Sequence, residues 1–371
     1  MSSTTPSSNA STSAPTPTTT ASTASNPLLA GLEAVDNPDD PGAKKQLRYV
    51  DIGINLGDPV YRGQYHGKKV HEDDLADVVQ RALEAGCRKM MVTGSDLKES
   101  EHAIQIAREF PGLCYATIGV HPCSAHQFDT HPGGPTALLG ALKDLALSSS
   151  AVGTVAGPGA PAVAFGEIGL DYDRLFLCPK ETQLKYFEAQ LDLAVELQLP
   201  LFLHSRAAAA DFEALLTPRL PHLPKRGLVH SFTGTLAEMQ RLISLGLDIG
   251  VNGCSFKTPE NLDVVRAIPL EQLQIETDGP WCEMRASHAS AKYLEGFVPV
   301  VERKAVKKEK WTKGAVVRGR NEPASVAAVA WVVAGVKGVG VEVVAEAAWR
   351  NSVEMFGLGE GSSVTYRILQ K

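Results

Sequence analysis

The sequence predicts an α/β chain folded as a (β/α)8 barrel, and three observations carry that prediction. From Leu47 onward, short apolar runs alternate with amphipathic stretches of helical period. The runs are continuously apolar, the pattern of strands buried on both faces of a parallel sheet. Several stop at a single Glu, His or Asp, as they do where the strand ends of a barrel gather at one mouth.

The bulk numbers allow this fold. With 371 residues and 44% apolar content, the chain can bury one barrel-sized domain and still carry a tail. A formal charge of −6 gives the whole molecule no field that attracts polyanions, so a nucleic-acid contact has to come from a local basic patch. Six cysteines are scattered with no C-x-x-C pair, several inside apolar runs, and read as free thiols of a reducing compartment. No apolar run nears the roughly 18 residues that span a bilayer. The expectation is a cytoplasmic or nuclear protein with no membrane contact and no obligate protein partner.

Residues 1–46 read as a disordered tail, because its first 26 or so positions are Ser, Thr, Ala and Pro without a charge. The first basic residue is Lys44, which argues against a transit peptide. A single catalytic domain is expected over 47–360. Tyr49–Ile54 is the first strand, followed by a helix over Glu72–Ala85 with Leu75, Val78, Val79, Ala82 and Leu83 on one face and Gly86 as its stop. Met90–Thr93 precedes a helix near Leu97–Phe110, and Tyr115–Val120 precedes one near Thr136–Leu147. A Gly/Ala/Pro-rich break over 148–161 reads as a surface insertion before the strand Ala164–Ile168. Pro179–Leu197 is the clearest helix, with Pro200 beyond its end.

Leu201–His204, Gly227–His230, Leu247–Val251 and Leu273–Asp278 complete eight runs, with helical patterns near Ala208–Leu216, Leu236–Leu245 and Glu260–Ile268 between them. A polar insertion over 284–323 delays the closing helices to Val326–Phe356. Glu167, His204, His230 and Asp278 then stand at the ends of strands four, five, six and eight. Two imidazoles and two carboxylates there can hold one or two divalent cations and leave positions for water and a substrate oxygen. Taken singly, a His ending an apolar run is more often a hydrogen-bonded structural residue, and an Asp before Gly-Pro a turn former. Their coincidence in one barrel phase favours a metal centre.

The motifs Gly119-Val120-His121-Pro122, Gly166-Glu167-Ile168-Gly169-Leu170-Asp171-Tyr172, Leu203-His204-Ser205-Arg206, His230-Ser231-Phe232-Thr233-Gly234, Glu276-Thr277-Asp278-Gly279-Pro280-Trp281 and Arg320-Asn321-Glu322-Pro323 occur in this order. In this order they resemble the successive signatures of the TatD family of metal-dependent deoxyribonucleases. The likeness covers about residues 48–358, and the segment from Asp58 to Lys68 resembles the eukaryotic subgroup. The resemblance implies a TIM barrel of the metal-dependent hydrolase type that cleaves DNA phosphodiester bonds with water activated by Mg²⁺ (or Mn²⁺ or Zn²⁺), with two ions and possible 3′-to-5′ exonuclease action. It implies Glu167 as the bridging ligand, His204 and His230 as ligands of one ion, and Asp278 as ligand of the other or as base. His121 would face the scissile phosphate, and Arg206 would pair with a phosphate oxygen.

Many bacterial members carry a His-x-His pair at the end of strand one, where this chain has Gly53 and Asn55. An oxygen-richer first site is expected, favouring Mg²⁺ or Mn²⁺ over Zn²⁺. Arg62, Tyr65 and Lys68 in the loop after strand one, and Asn321, are further substrate-binding candidates. Arg303, Lys304, Lys307, Lys308, Lys310, Lys313, Arg318 and Arg320 form a basic run around Trp311, which reads equally as a grip for single-stranded or frayed DNA and as a solvated loop. Two other functions fit the same barrel: hydrolysis of a small amide, lactone or nucleobase, and a non-catalytic binding module.

Overall fold

In a computed structural model, residues 47–150, 160–223, 227–300 and 303–359 are described, together with a backbone pairing of Leu32–Glu33 with Arg367–Ile368. Most of the expected tail, and residues 151–159 of the first insertion, lie outside the described residues. Eight strands form one parallel sheet in chain order: β1 (Tyr49–Ile54), β2 (Cys87–Val92), β3 (Cys114–Ile118), β4 (Ala162–Asp171), β5 (Leu201–Arg206), β6 (Gly227–Val229), β7 (Asp248–Val251) and β8 (Leu273–Ile275). Beyond β8 the chain closes onto β1, where Asp278 N donates to Gly53 O at 2.8 Å and Asn55 N to Gly279 O at 2.9 Å.

Helices α1 (Leu75–Glu84), α2 (Leu97–Glu109), α3 (Gly134–Ser149), α4 (Lys180–Leu197), α5 (Ala209–Leu216), α6 (Leu236–Ser244) and α7 (Pro259–Ala267) fill the intervals between strands. After the second insertion come α8 (Val326–Lys337) and α9 (Val341–Phe356). The predicted elements and the observed ones agree to within a few residues at their ends. The start of α1 shifts by three residues, from Glu72 to Leu75, because Asp73 caps Leu75 N at 3.0 Å while Asp74 is taken by Arg320. Capping boxes begin α6 (Thr235 with Glu238) and α7 (Thr258 with Asn261).

Two apolar clusters hold the barrel. The larger lies between strands and helices and includes all five residues predicted for the α1 face. The smaller fills the barrel's lower interior with Val50, Ile52, Met91, Ala164, Phe202 and Leu228. Trp349, Val353 and Phe356 of α9, with Leu358, close it from below. The interior is therefore largely apolar beneath the mouth, and the cluster of His121, Glu167, Asp171, His204 and His230 lies at the strand ends above.

The second insertion is built rather than loose. It forms a three-ten turn over Ala289–Leu294 and a short parallel pair, Ala305–Val306 with Val316–Val317. Its basic run is partly consumed in structure. Arg303 meets the Glu84 carboxylate at 2.8 Å, and Arg320 grips Asp74 at 2.6 Å and Glu322 at 2.9 Å. Trp311 stacks on His71 at 4.9 Å and donates its ring N–H to Ala315 O. Lys304, Lys307, Lys310, Lys313 and Arg318 remain exposed.

Candidate metal and catalytic centre

The centre is positioned by the contact of β4 with β5. A Cβ on Gly166 would lie 2.0 Å from Phe202 O, and one on Gly169 would lie 1.8 Å from His204 O. Only glycine at both positions lets β4 approach β5 closely enough to set Glu167 against His204. The Gly-Glu-Ile-Gly motif is thus a packing requirement that carries a carboxylate.

Glu167 Oε1 lies 3.3 Å from His121 Nε2, 2.9 Å from His204 Nδ1 and 2.7 Å from His230 Nε2. All four side chains are buried or nearly so. Burial alone would raise the Glu167 carboxyl, but the His230 and His121 charges and the hydrogen bonds from His204 and His230 hold it well below the usual range. Burial would lower His230, yet Glu167 and Glu276 outweigh it and hold its imidazole well above its ordinary value. At His121 burial wins over Glu167 and pulls the ring down to about 4.

A second group adjoins the first through His204. His204 Nε2 lies 3.1 Å from Asp171 Oδ2, which also has Arg206 Nη1 at 3.5 Å and Arg174 Nε at 3.8 Å. The ligand atoms of Glu167, His204 and His230 fall within 4.8 Å of one another, as do those of His121, Asp171 and His204. Two features fit a cation here. One carboxylate oxygen faces three imidazole nitrogens, a gathering of metal-ligating atoms. Asp171 Oδ1 is buried with no hydrogen-bond partner.

The ring tautomers divide the roles. His121 Nδ1 accepts from Cys123 N at 3.1 Å, so in the neutral ring the proton sits on Nε2, a donor rather than a ligand. His230 Nδ1 faces Glu276 Oε2 at 3.3 Å, the carboxylate–imidazole arrangement that frees Nε2 to bind a metal. Glu276 is fixed in turn by Asn252 Nδ2 at 3.3 Å and by the backbone N–H of Ser231.

Glu276 and Asp171 were visible in the motifs, but their residue types alone gave them no role. Glu276 also explains the departure at strand one. A Cβ on Gly53 would lie 2.1 Å from Glu276 Oε2, so the volume a histidine would need is filled by this carboxylate. The signal available in the sequence was the coincidence of a glycine at position 53 with a buried glutamate two residues before Asp278.

Asp278 stands apart from both ligand groups. Its Oδ1 accepts from Asn55 Nδ2 at 3.1 Å and its Oδ2 from the Cys282 thiol at 3.3 Å. Burial, with the Glu276 and Glu167 charges, pushes its carboxyl up to about 7 against the opposing pull of His230. Of the expected substrate-binding residues, Arg206 is half-buried beside Asp171. Arg62 is paired with Asp73 at 2.9 Å and Glu109 at 3.9 Å, and Lys68 is exposed on a short hairpin. Asn321 spends its amide hydrogens on Thr277 O at 2.9 Å and Trp281 O at 2.8 Å, which makes it a brace for the loop after β8.

A (β/α)8 barrel with two carboxylates and three imidazoles converging at its C-terminal mouth defines a hydrolase of the metal-using barrel class. The family model described as TatD related DNase matches residues 50–357, and the chain belongs to that family. It is 49% identical over 312 residues to the deoxyribonuclease Tat-D of Schizosaccharomyces pombe, covering 84% of this chain and 96% of that protein. It is 40% identical over 235 residues to the 3′-5′ ssDNA/RNA exonuclease TatD of Edwardsiella piscicida, covering 62% of this chain and 79% of that protein. Among solved structures, an uncharacterized amidohydrolase from Saccharomyces cerevisiae superposes with a TM-score of 0.76 at 35% identity, covering 84% of this chain and all of that one.

Proposed function

We propose that this chain is a divalent-metal-dependent nuclease that hydrolyses phosphodiester bonds in single-stranded DNA or frayed ends, working from the 3′ terminus. The observation that carries the reading is the single Glu167 oxygen set among three imidazole nitrogens at the barrel mouth. The names of the fission-yeast and Edwardsiella relatives supply the substrate class and the direction.

Glu167, His204 and His230 would hold one cation, with Asp171 beside them and Asp278 on the oxygen-rich side toward Asn55. When bound, such cations lower the pKa of water and offset the charge that builds on the phosphate. Two imidazoles suit Mn²⁺ or Zn²⁺ at the first group, and oxygen ligands around Asp278 suit Mg²⁺. Asp278 takes the proton of the attacking water on a carboxylate oriented by Asn55 and Cys282. His121 donates its Nε2–H to a phosphate oxygen. Arg206, already turned to Asp171, pairs with another. The six free cysteines fit work in a reducing cytoplasm or nucleus.

The test is a 3′-5′ comparison on end-labelled single strands with Mg²⁺, Mn²⁺ and Zn²⁺ supplied in turn. Stepwise shortening from the 3′ end is expected, abolished in Glu167→Gln. Intact strands with every metal, beside turnover of a small amide or lactone, would overturn the reading.

A further inference from the structure

The four tryptophans are not used alike. Trp349 is buried under the barrel, Trp331 donates to Tyr293 O at 2.9 Å, and Trp311 is stacked on His71. Trp281 alone is 55% exposed, and no described residue accepts from its ring nitrogen. An indole left in water forgoes the burial its large apolar surface would otherwise bring. Its backbone is nonetheless held on both sides. Trp281 N donates to Asp278 O at 3.0 Å, and Trp281 O accepts from Asn321 Nδ2 at 2.8 Å. Asn321 is itself buried and tied to Thr277 O, so the loop that carries the indole is fixed to the same strand end as the centre.

Two cations act on the thiol pair that adjoins it. The Cys282 thiol, next in the chain, lies 2.7 Å from that of Cys254, on which Lys257 and Arg206 both act. Arg206 also reaches Asp171 of the metal-binding group. A fixed, exposed aromatic face three residues beyond Asp278, next in the chain to a thiol pair on which Lys257 and Arg206 act, has the makings of a site for a stacked base with phosphates nearby. Trp311, in the basic run, already has His71 stacked on one face.

We propose that Trp281 is the platform on which the nucleobase beside the scissile phosphate stacks, with Arg206 and Lys257 taking the neighbouring phosphates. This rests on the nuclease reading above. A platform of this kind accepts any base, since every base has a π face, and it distinguishes a nucleic acid from a bare phosphodiester.

The full-length protein, kept in chelator, is titrated with a labelled oligodeoxynucleotide and with a strand of the same length made of abasic units. Binding is read by anisotropy and by indole fluorescence. The base-bearing strand is expected to quench the indole and to bind more tightly. That preference should fall roughly tenfold in Trp281→Ala. In Trp281→Phe most of the preference should return, but without the quench. Equal binding of both strands by the wild type, or an undiminished preference in Trp281→Ala, would overturn the platform. If Trp281→Ala fails to fold, the quench in the wild type and its loss in Trp281→Phe decide the matter. A preference that depends on Trp281, in a protein that cleaves no strand when Mn²⁺ is restored, leaves the platform standing and removes the hydrolytic reading instead.

Discussion

The two ends of the barrel bury polar groups in opposite ways. At the floor the charged and amide groups have partners of complementary kind, and the Trp349 ring nitrogen is buried without one. Lys89 Nζ donates to Leu358 O at 2.9 Å, Gln274 Nε2 to Asp248 Oδ2 at 2.8 Å, and Ser352 Oγ to Gln274 Oε1 at 2.8 Å. Asn351 donates to Leu270 O at 2.8 Å and to Leu273 O at 2.9 Å. At the mouth, carboxylates and imidazoles crowd one another, and Asp171 Oδ1 is left over. The floor is a nearly complete set of neutral and charge-matched hydrogen bonds that serves stability. The mouth keeps unspent ligand capacity, which a folding requirement alone does not explain.

If that contrast is right, substitutions at the two ends must fail differently. The largest effect is expected for Glu167→Gln, which keeps the side-chain shape and removes the shared anion. Cleavage of single-stranded DNA should fall by more than about a hundredfold, since even an outer partner of a metal ligand is worth about 10- to 100-fold. The thermal unfolding midpoint should stay near that of the wild type or rise. A cleavage rate within a few-fold of wild type would break the contrast.

Glu276→Gln should weaken Mn²⁺ binding by about 10- to 100-fold, because the acceptor opposite His230 Nδ1 loses the charge that makes Nε2 a strong ligand. Calorimetric metal titration measures this, and an unchanged affinity would reduce Glu276 to a filler of the space beside Gly53. At the floor, Lys89→Met should cost about 1–3 kcal/mol in urea unfolding by leaving buried groups short of a donor, while metal affinity holds. A loss of metal affinity there would mean that the two ends are not independent.

The smallest effect is a pH signature of the floor. Burial raises the Asp248 carboxyl to about 6, above its unfolded value, with Gln274 opposing. A raised carboxyl binds protons more tightly when folded, so this group costs stability as the pH climbs from about 4 through 6 and no more beyond. Asp248→Asn should therefore gain on the order of 1 kcal/mol over wild type at pH 8 and little at pH 4. A difference independent of pH would remove this assignment.

Much of this was legible before any coordinates. The alternation of apolar runs and helical periods marks the barrel because both periods are local properties of the chain. Glu167, His204 and His230 stand out because each ends or interrupts an apolar run, and strand ends of a barrel share a mouth. Asp171 and Glu276 escaped because their roles depend on cross-strand distances, namely from Asp171 to His204 and from Glu276 to His230 and to the volume beside Gly53 that it fills. Asn321 read as a substrate contact, and the run around Trp311 equally as a grip for DNA or a solvated loop, because sequence shows a polar or aromatic type but not its partner. The structure instead engages Asn321 with the loop at Trp281 and covers Trp311 with His71.

The claim that the mouth is a cation centre built on Glu167 is tested most directly by titrating Mn²⁺ into chelated wild-type protein and into Glu167→Gln under the calorimeter. Saturable binding in the wild type, lost or weakened by more than about a hundredfold in the variant, is the predicted result. Equal affinity and stoichiometry in both proteins would contradict it.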